Sequence, residues 1–280
     1  MKVIESCAKC LYDKQAHLTD DEVYLSEVRE ILDGRGENDC APYLVYRFNL
    51  AYERRFGKKA SYAEIKKKYN DLVLSMEEAF REKIARSADP LKTAFLYARV
   101  GNYVDFGAMN HVEEDVFLKL FEDVSMREGD QAVFASFLEQ CKTASKFLLI
   151  ADNCGEIVLD KLLLEQLKQN FPNLQFTVMV RGGEALNDAT VEDATYVGID
   201  QMAKIVTNGL PLTGAVYELL PQDARQAVDD ADVILSKGQG NYEAFSRQGH
   251  HAFYSFLCKC ELFTERFQVP KLTGIFVEEA

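Results

Sequence analysis

Three polar clusters in the second half of the chain carry residue types suited to chemistry on a charged substrate. They are Asp152-Asn153-Cys154-Gly155-Glu156, Asn187-Asp188-Ala189-Thr190, and Ser236-Lys237-Gly238-Gln239-Gly240-Asn241-Tyr242-Glu243. Asp152, Asn153 and Asp188 offer two carboxylates and an amide oxygen. Such an all-oxygen set suits a hard cation such as Mg²⁺ or Mn²⁺ rather than structural Zn²⁺, which prefers Cys and His. A cation held this way keeps positions open for water and a phosphate oxygen, polarises the phosphoryl group and acidifies an attacking water. Lys237 supplies a point charge for equatorial phosphoryl oxygens, and Gly238 and Gly240 let backbone approach a ligand closely. The chemistry implied is phosphoryl hydrolysis. The order of a Walker A loop is absent. Plainer readings stand beside these: helix caps for the first two clusters, and a glycine turn with an incidental lysine for the third.

A fourth cluster, Gly101-Asn102-Tyr103-Val104-Asp105-Phe106-Gly107, lies in the first half. It reads either as turn chemistry or as Asn102 and Asp105 closing over a substrate from a helical region. Glu156 either caps the helix that follows Asp152 or orients a water or substrate hydroxyl.

The elements that must position these residues change character near residue 140. Residues 1–140 hold six of the 16 glycines and two of the six prolines, and they read as helices. Thr19-Asp20-Asp21-Glu22 is a capping-box pattern ahead of Tyr24, Val28, Ile31 and Leu32. Ser61 opens a helix with a stripe of Ile65, Tyr69, Leu72, Met76 and Phe80, leaving Lys66, Lys67 and Lys68 on a solvated face. Spans 112–123 and 131–141 repeat the pattern. From Phe147 the period changes. Apolar runs at 147–151, 175–180, 203–207, 232–235, 253–257 and 274–277 alternate with helical or loop segments, as in βαβ units. The expected architecture is α/β: a three-layer Rossmann-like α/β/α core over residues 141–280, carrying an N-terminal helical domain over residues 1–140. In such a sheet, ligands bind at the carboxyl ends of the strands, where the three clusters fall.

The chain has 280 residues and a formal charge of −13, which argues against a nucleic-acid partner. No apolar stretch is long enough to span a membrane, and Glu5 interrupts any secretory h-region, so a cytoplasmic location is expected. Seven cysteines, an odd number, do not suggest a secreted disulfide framework. Cys7 and Cys10 at CxxC spacing read as packed thiols, a redox pair or half of a metal site, for which Cys258 and Cys260 are the available complement. His250-His251 reads as a hydrogen-bonded pair entering a strand.

Taken in order, Cys7-Ala8-Lys9-Cys10, Gly101-Asn102-Tyr103-Val104-Asp105, Ala151-Asp152-Asn153-Cys154-Gly155-Glu156, Asn187-Asp188-Ala189-Thr190 and Lys237-Gly238-Gln239-Gly240-Asn241 resemble the damage-control phosphatase family. This family is also called the acidic-residue-methyltransferase-like domain and was formerly a domain of unknown function. The resemblance spans essentially the whole chain and points to the microbial branch with an N-terminal CxxC. It implies a metal held by Asp152, Asn153 and Asp188, a substrate phosphate contacted by Lys237 and Asn241 beside Gly238, and a pocket completed by Asn102 and Asp105. It also implies activity with Mn²⁺, Co²⁺, Ni²⁺ or Mg²⁺ on small phosphorylated metabolites, and a pocket role for Lys259 is compatible with it. Cys154 departs from the small residue, such as alanine, expected there. Two rivals are an S-adenosylmethionine-dependent carboxyl methyltransferase and a non-catalytic, metal-dependent phosphometabolite-binding protein. The first lacks the usual glycine-rich loop after the first strand. The sequence does not fix the oligomeric state.

Overall fold

A computed structural model describes residues 1–103, 119–122 and 124–279. Asp105 and most of the helical span expected at 112–123 lie outside the described residues. The sheet has six strands: β1 (Lys146–Ile150), β2 (Gln175–Val180), β3 (Lys204–Thr207), β4 (Val233–Lys237), β5 (Ala252–Leu257) and β6 (Gly274–Glu279). Their order is β3-β2-β1-β4-β5-β6, parallel throughout except for the antiparallel β5–β6 pair. The chain leaves β1 toward β2 on one side and later returns to β4 on the other. The switch point, where open α/β sheets bind ligands, therefore lies between the carboxyl ends of β1 and β4. Asp152 follows β1, and Lys237 ends β4.

Both faces are covered, which is why β1 is a continuous apolar run rather than an alternating one. Phe147, Leu149 and Ala151 join one apolar cluster, and Leu148 and Ile150 join the other. The first cluster takes in helices α4 (Ala63–Ser75), α5 (Glu77–Arg86), α6 (Pro90–Gly101), α7 (Glu128–Thr143) and α8 (Glu156–Asn170). Aromatic rings tie α6 and α7 to the strands: Phe95 lies 4.5 Å from Phe276, and Phe137 lies 5.2 Å from Phe253, centroid to centroid. Burial of each such ring contributes about 1.5–3 kcal/mol. The layer on this face is thus drawn from both sides of residue 140. The opposite face is covered by α10 (Gln222–Asp229), α11 (Gln239–Phe245) and α12 (Glu261–Phe267), while α9 (Val191–Tyr196) sits near β3. Helices α1 (Glu5–Ala16), α2 (Glu22–Asp33) and α3 (Ala41–Phe56) build a third apolar cluster of their own. No helix among the described residues is long and apolar enough to cross a membrane.

Local departures from the sequence reading have physical causes. Helix α2 is capped by the Asp21 carboxylate, which accepts from Tyr24 N at 2.9 Å, two residues later than a box built on Thr19 and Glu22 would place it. The apolar stripe from Ile65 to Phe80 is split at Met76 into α4 and α5. Lys66 does not share the solvated face of Lys67. It is buried and pairs with Asp193 at 2.6 Å, while Lys67 is exposed and bonds Asp71. Of the histidine pair, His251 bonds Glu278 at 2.8 Å and His250 lies against the rings of Tyr217 and Phe245.

Candidate active site

Asp152 and Asp188 are brought together by backbone pairing. The Cys154 amide donates to Asn187 O and the Ala189 amide to Asp152 O, each at 2.8 Å, so Asn153 stands opposite Asp188 in an isolated antiparallel bridge. Helix α4 seats this turn from outside. Asn70 Oδ1 accepts from the Gly155 amide at 2.7 Å, and Asn70 Nδ2 donates to Asp193, which caps α9 through Thr190. Cys154 is fully buried in the same turn.

Arg181, directly after β2, faces both carboxylates. Its Nη2 donates to Asp152 Oδ1 at 3.0 Å, its Nε to Asp188 Oδ2 at 2.6 Å, and its Nη1 to Asn241 Oδ1 at 3.1 Å. One guanidinium thus reports that Asp152 and Asp188 converge on a single small volume. The other Asp152 oxygen, Oδ2, accepts from Asn102 Nδ2 at 3.0 Å and Asn153 Nδ2 at 2.7 Å. Both amides also donate to Glu156 Oε2, at 3.0 and 2.9 Å. Asn153 Oδ1 accepts from Asn187 Nδ2 at 3.1 Å, and Asn102 Oδ1 from the Leu257 amide at 3.1 Å.

Two glycines make these approaches possible. A Cβ on Gly101 would come within 2.9 Å of Leu159 Cδ1 and 3.1 Å of Glu156 Cα, so glycine is what lets α6 end against α8 and deliver Asn102. Gly238 has φ +85°, and a Cβ there would lie 2.0 Å from Asp152 Oδ2. Gly238→Ala is therefore expected to push the Asp152 carboxylate out of place. The variant should be destabilised by about 1–3 kcal/mol, the scale for a strained backbone position. A denaturant melt indistinguishable from that of the wild type would contradict this placement.

Beneath the carboxylates lies a buried ionic cluster. Lys237 Nζ donates to Glu156 Oε1 at 2.7 Å, Asp160 Oδ1 at 2.6 Å and Ala98 O at 2.9 Å. Burial lowers the Lys237 pKa, but Asp160 and Glu156 overcome this and the net shift is upward. Burial pushes Asp160 up to about 7, opposed by Lys237 and reinforced by Glu156. Asp152, Asp188, Glu156 and Asp160 set four carboxylates against the two cations Arg181 and Lys237, leaving an excess of negative charge that suits a divalent ion. Among the described residues no three His, Cys, Asp or Glu side chains cluster as a metal group.

The chain matches the damage-control phosphatase ARMT1-like domain family over residues 2–273. It belongs to that family. A damage-control phosphatase of Archaeoglobus fulgidus is 33% identical over 277 residues, covering 93% of each chain. One of Pyrococcus horikoshii is 28% identical over 219 residues, covering 77% of this chain and 73% of the relative. The crystal structure of a DUF89 family protein from P. horikoshii aligns over the full length of both chains with a TM-score of 0.79 and 25% identity. Family membership supports a phosphatase as the enzyme class.

Within this family member, several residues stand elsewhere than the sequence reading expected. Lys237 spends its three N–H donors on Glu156, Asp160 and Ala98 and is fully buried, so this arrangement leaves none for a phosphate. Asn241 is likewise engaged: Nδ2 donates to Ala151 O and Lys237 O, and Oδ1 accepts from Arg181. Glu156 holds two amides and a lysine rather than facing open space. Asn102 reaches Asp152 and Glu156, whereas Asp105 lies outside the described residues. Arg181 is not among the site residues expected from the sequence. A cation one residue past β2, the strand paired with β1, is the available signal.

Proposed function

We propose that the chain is a metal-dependent phosphatase for small phosphorylated metabolites, sugar phosphates or damaged phosphometabolites among them. The observation that carries this is the convergence of Asp152 and Asp188 on one guanidinium, with Asn153 locked opposite Asp188. Asp152, Asn153 and Asp188 would hold Mn²⁺, Ni²⁺, Co²⁺ or Mg²⁺; their oxygens and the surplus of buried negative charge fit a hard divalent ion. For Asn153 the fit requires its amide oxygen, now directed at Asn187, to serve as the donor. Such an ion supplies Lewis-acid polarisation and a more acidic water.

The protein's own residues do the rest. Arg181 is the cation beside the two carboxylates and takes the charge-neutralising role first assigned to Lys237. Three of its five N–H donors are spent on Asp188, Asn241 and Asp152, so two remain for a phosphate oxygen. Lys237 and Asp160 fix Glu156, and Glu156 fixes the amides of Asn102 and Asn153, so the carboxylate of Asp152 is held in one orientation. Asn241 ties the ends of β1 and β4 to Arg181.

The test is a metal-by-substrate screen on purified protein. Chelation should abolish phosphate release from a phosphosugar panel, and adding back Mn²⁺, Ni²⁺, Co²⁺ or Mg²⁺ should restore it in the wild type but not in Asp152→Ala. Undiminished hydrolysis after chelation would refute the reading. Metal-dependent ligand binding without phosphate release would reassign the chain as a binding protein, and robust S-adenosylmethionine binding without metal would favour the methyltransferase.

A further inference from the structure

The backbone on either side of Arg181 is held by Asn208, a buried residue that stands directly after β3 and belongs to none of the four sequence clusters. Its amide donates to Val180 O at 2.9 Å, and its side-chain Oδ1 accepts from the Gly182 amide at 2.8 Å. Arg181 donates its own amide to Ala189 O at 2.9 Å, next to Asp188. Asn208 Oδ1 also accepts from the Leu210 amide at 3.2 Å, and Nδ2 donates to Leu212 O and Gly214 O, each at 2.9 Å. All four hydrogen-bonding positions of the side chain are thereby used. The last two bonds fold residues 208–214 into a turn that presses on the start of α11, where a Cβ on Gly240 would lie 2.5 Å from Thr213 O. The next residue, Asn241, accepts from Arg181 Nη1 at 3.1 Å. One buried amide therefore sets both the base of Arg181 and the helix start that carries a partner of its guanidinium.

We propose that Asn208 is a positioning residue for Arg181 and, through it, for hydrolysis of the phosphoryl group. An asparagine that only shaped its own turn would need no bonds beyond those to Leu210, Leu212 and Gly214. The bond to Gly182 crosses to the segment after β2 and serves no turn within residues 208–214. Arginine has many rotamers, so aiming its fork at Asp152, Asp188 and Asn241 demands a fixed starting point as well as fixed acceptors. Without the Asn208 side chain, the Gly182 amide keeps Leu210 O as an acceptor at 3.1 Å, but Leu210 belongs to the turn that Asn208 organises. Arg181 then loses its support on the β3 side. A displacement on the order of 1 Å is enough to cost about 10²-fold in rate. The effect on turnover rests on the phosphatase reading, whereas the effect on Arg181 rests on the hydrogen bonds alone.

The experiment combines Asn208→Ala with Arg181→Gln, singly and together, in the full chain. The expected kinetic result is a loss of about 10²-fold in kcat/KM from Asn208→Ala alone, and no further loss when it is added to Arg181→Gln. A residue that only stabilised the fold would lower activity equally in both backgrounds. The second readout, heteronuclear NMR of the metal-free protein, needs no turnover. The arginine Nε–H resonance that disappears in Arg181→Gln should exchange slowly with solvent in the wild type, since that proton is buried on Asp188, and rapidly in Asn208→Ala. In unmutated protein the Gly182 amide should also exchange slowly although Gly182 is exposed, and this measurement holds even where Asn208→Ala does not fold. Equal losses of turnover in the two backgrounds, an unchanged Nε–H in Asn208→Ala, or a Gly182 amide that exchanges like a free loop amide would each overturn the proposal. Wild-type protein inactive with every metal and substrate would instead refute the phosphatase reading, and the exchange rates would still decide the role of Asn208.

Discussion

Replacing Lys237 by methionine is expected to destabilise the fold by about 3–5 kcal/mol, the cost of leaving buried charges without their partner. The side chain is fully buried, as are Glu156 and Asp160, which it holds at 2.7 and 2.6 Å. Methionine fills similar volume, so the loss should come from uncompensated carboxylates and not from a cavity. The pH dependence separates these causes. In the wild type Asp160 is already lifted from 3.8 to about 7 by burial and by Glu156, against the pull of Lys237. A carboxyl whose folded pKa is raised binds more protons folded than unfolded, so its contribution to stability falls as pH rises through that interval. Removing Lys237 lifts Asp160 further. The deficit should therefore be smallest below pH about 7, where Asp160 binds its proton in both folded proteins, and grow as pH rises from there toward the variant's own higher folded value, whereas a cavity would cost the same at every pH. Adding Asp160→Asn should recover part of the loss at neutral pH. Denaturant melts across that pH range measure all three effects, and a pH-independent deficit would sink the argument.

Lys237 also shows how far the sequence was legible. The apolar runs located every strand of the sheet, because parallel strands buried on both faces must be apolar throughout. The third cluster was placed after a strand ending at Leu235, whereas β4 continues through Lys237. The two added residues change the chemistry. As a loop residue Lys237 would be free to face a ligand. As a strand residue it follows the parity of Val233 and Leu235, whose side chains pack with α6 and α8, and it must point there too. Glu156 and Asp160, one helical turn apart on α8, meet it. The ladder of β4 with β5, which carries register to Lys237, is a tertiary fact that no local pattern displays. The convergence of Asp152 and Asp188 was legible as strand-end chemistry, but the short bridge that aligns Asn153 with Asp188 was not. It arises from backbone groups and leaves no mark on side-chain type.

Arg181 yields the second large effect, because it is the only residue whose side chain bonds Asp152, Asp188 and Asn241 together among the described residues. Arg181→Gln should destabilise the metal-free protein by about 3–5 kcal/mol, since two buried carboxylates then lose the guanidinium between them. Arg181→Lys should lie between, because an ammonium cannot span three acceptors as a planar fork does. Under the metal-site reading the same carboxylates become better ligands once the guanidinium no longer competes for Asp152 Oδ1 and Asp188 Oδ2. Added Mn²⁺ should therefore raise the melting temperature of Arg181→Gln by more than that of the wild type, as expected when a ligand binds only the folded state and binds it more tightly. Turnover should move the opposite way, down about 10²-fold or more even at saturating Mn²⁺, because under the same reading the variant has lost the cation that neutralises the phosphoryl group. Thermal melts with and without Mn²⁺, paired with phosphate release, read both signs. Were Mn²⁺ to stabilise variant and wild type equally, Arg181 would be a structural clamp with no bearing on the ion, and the site would have to be rebuilt around other oxygens.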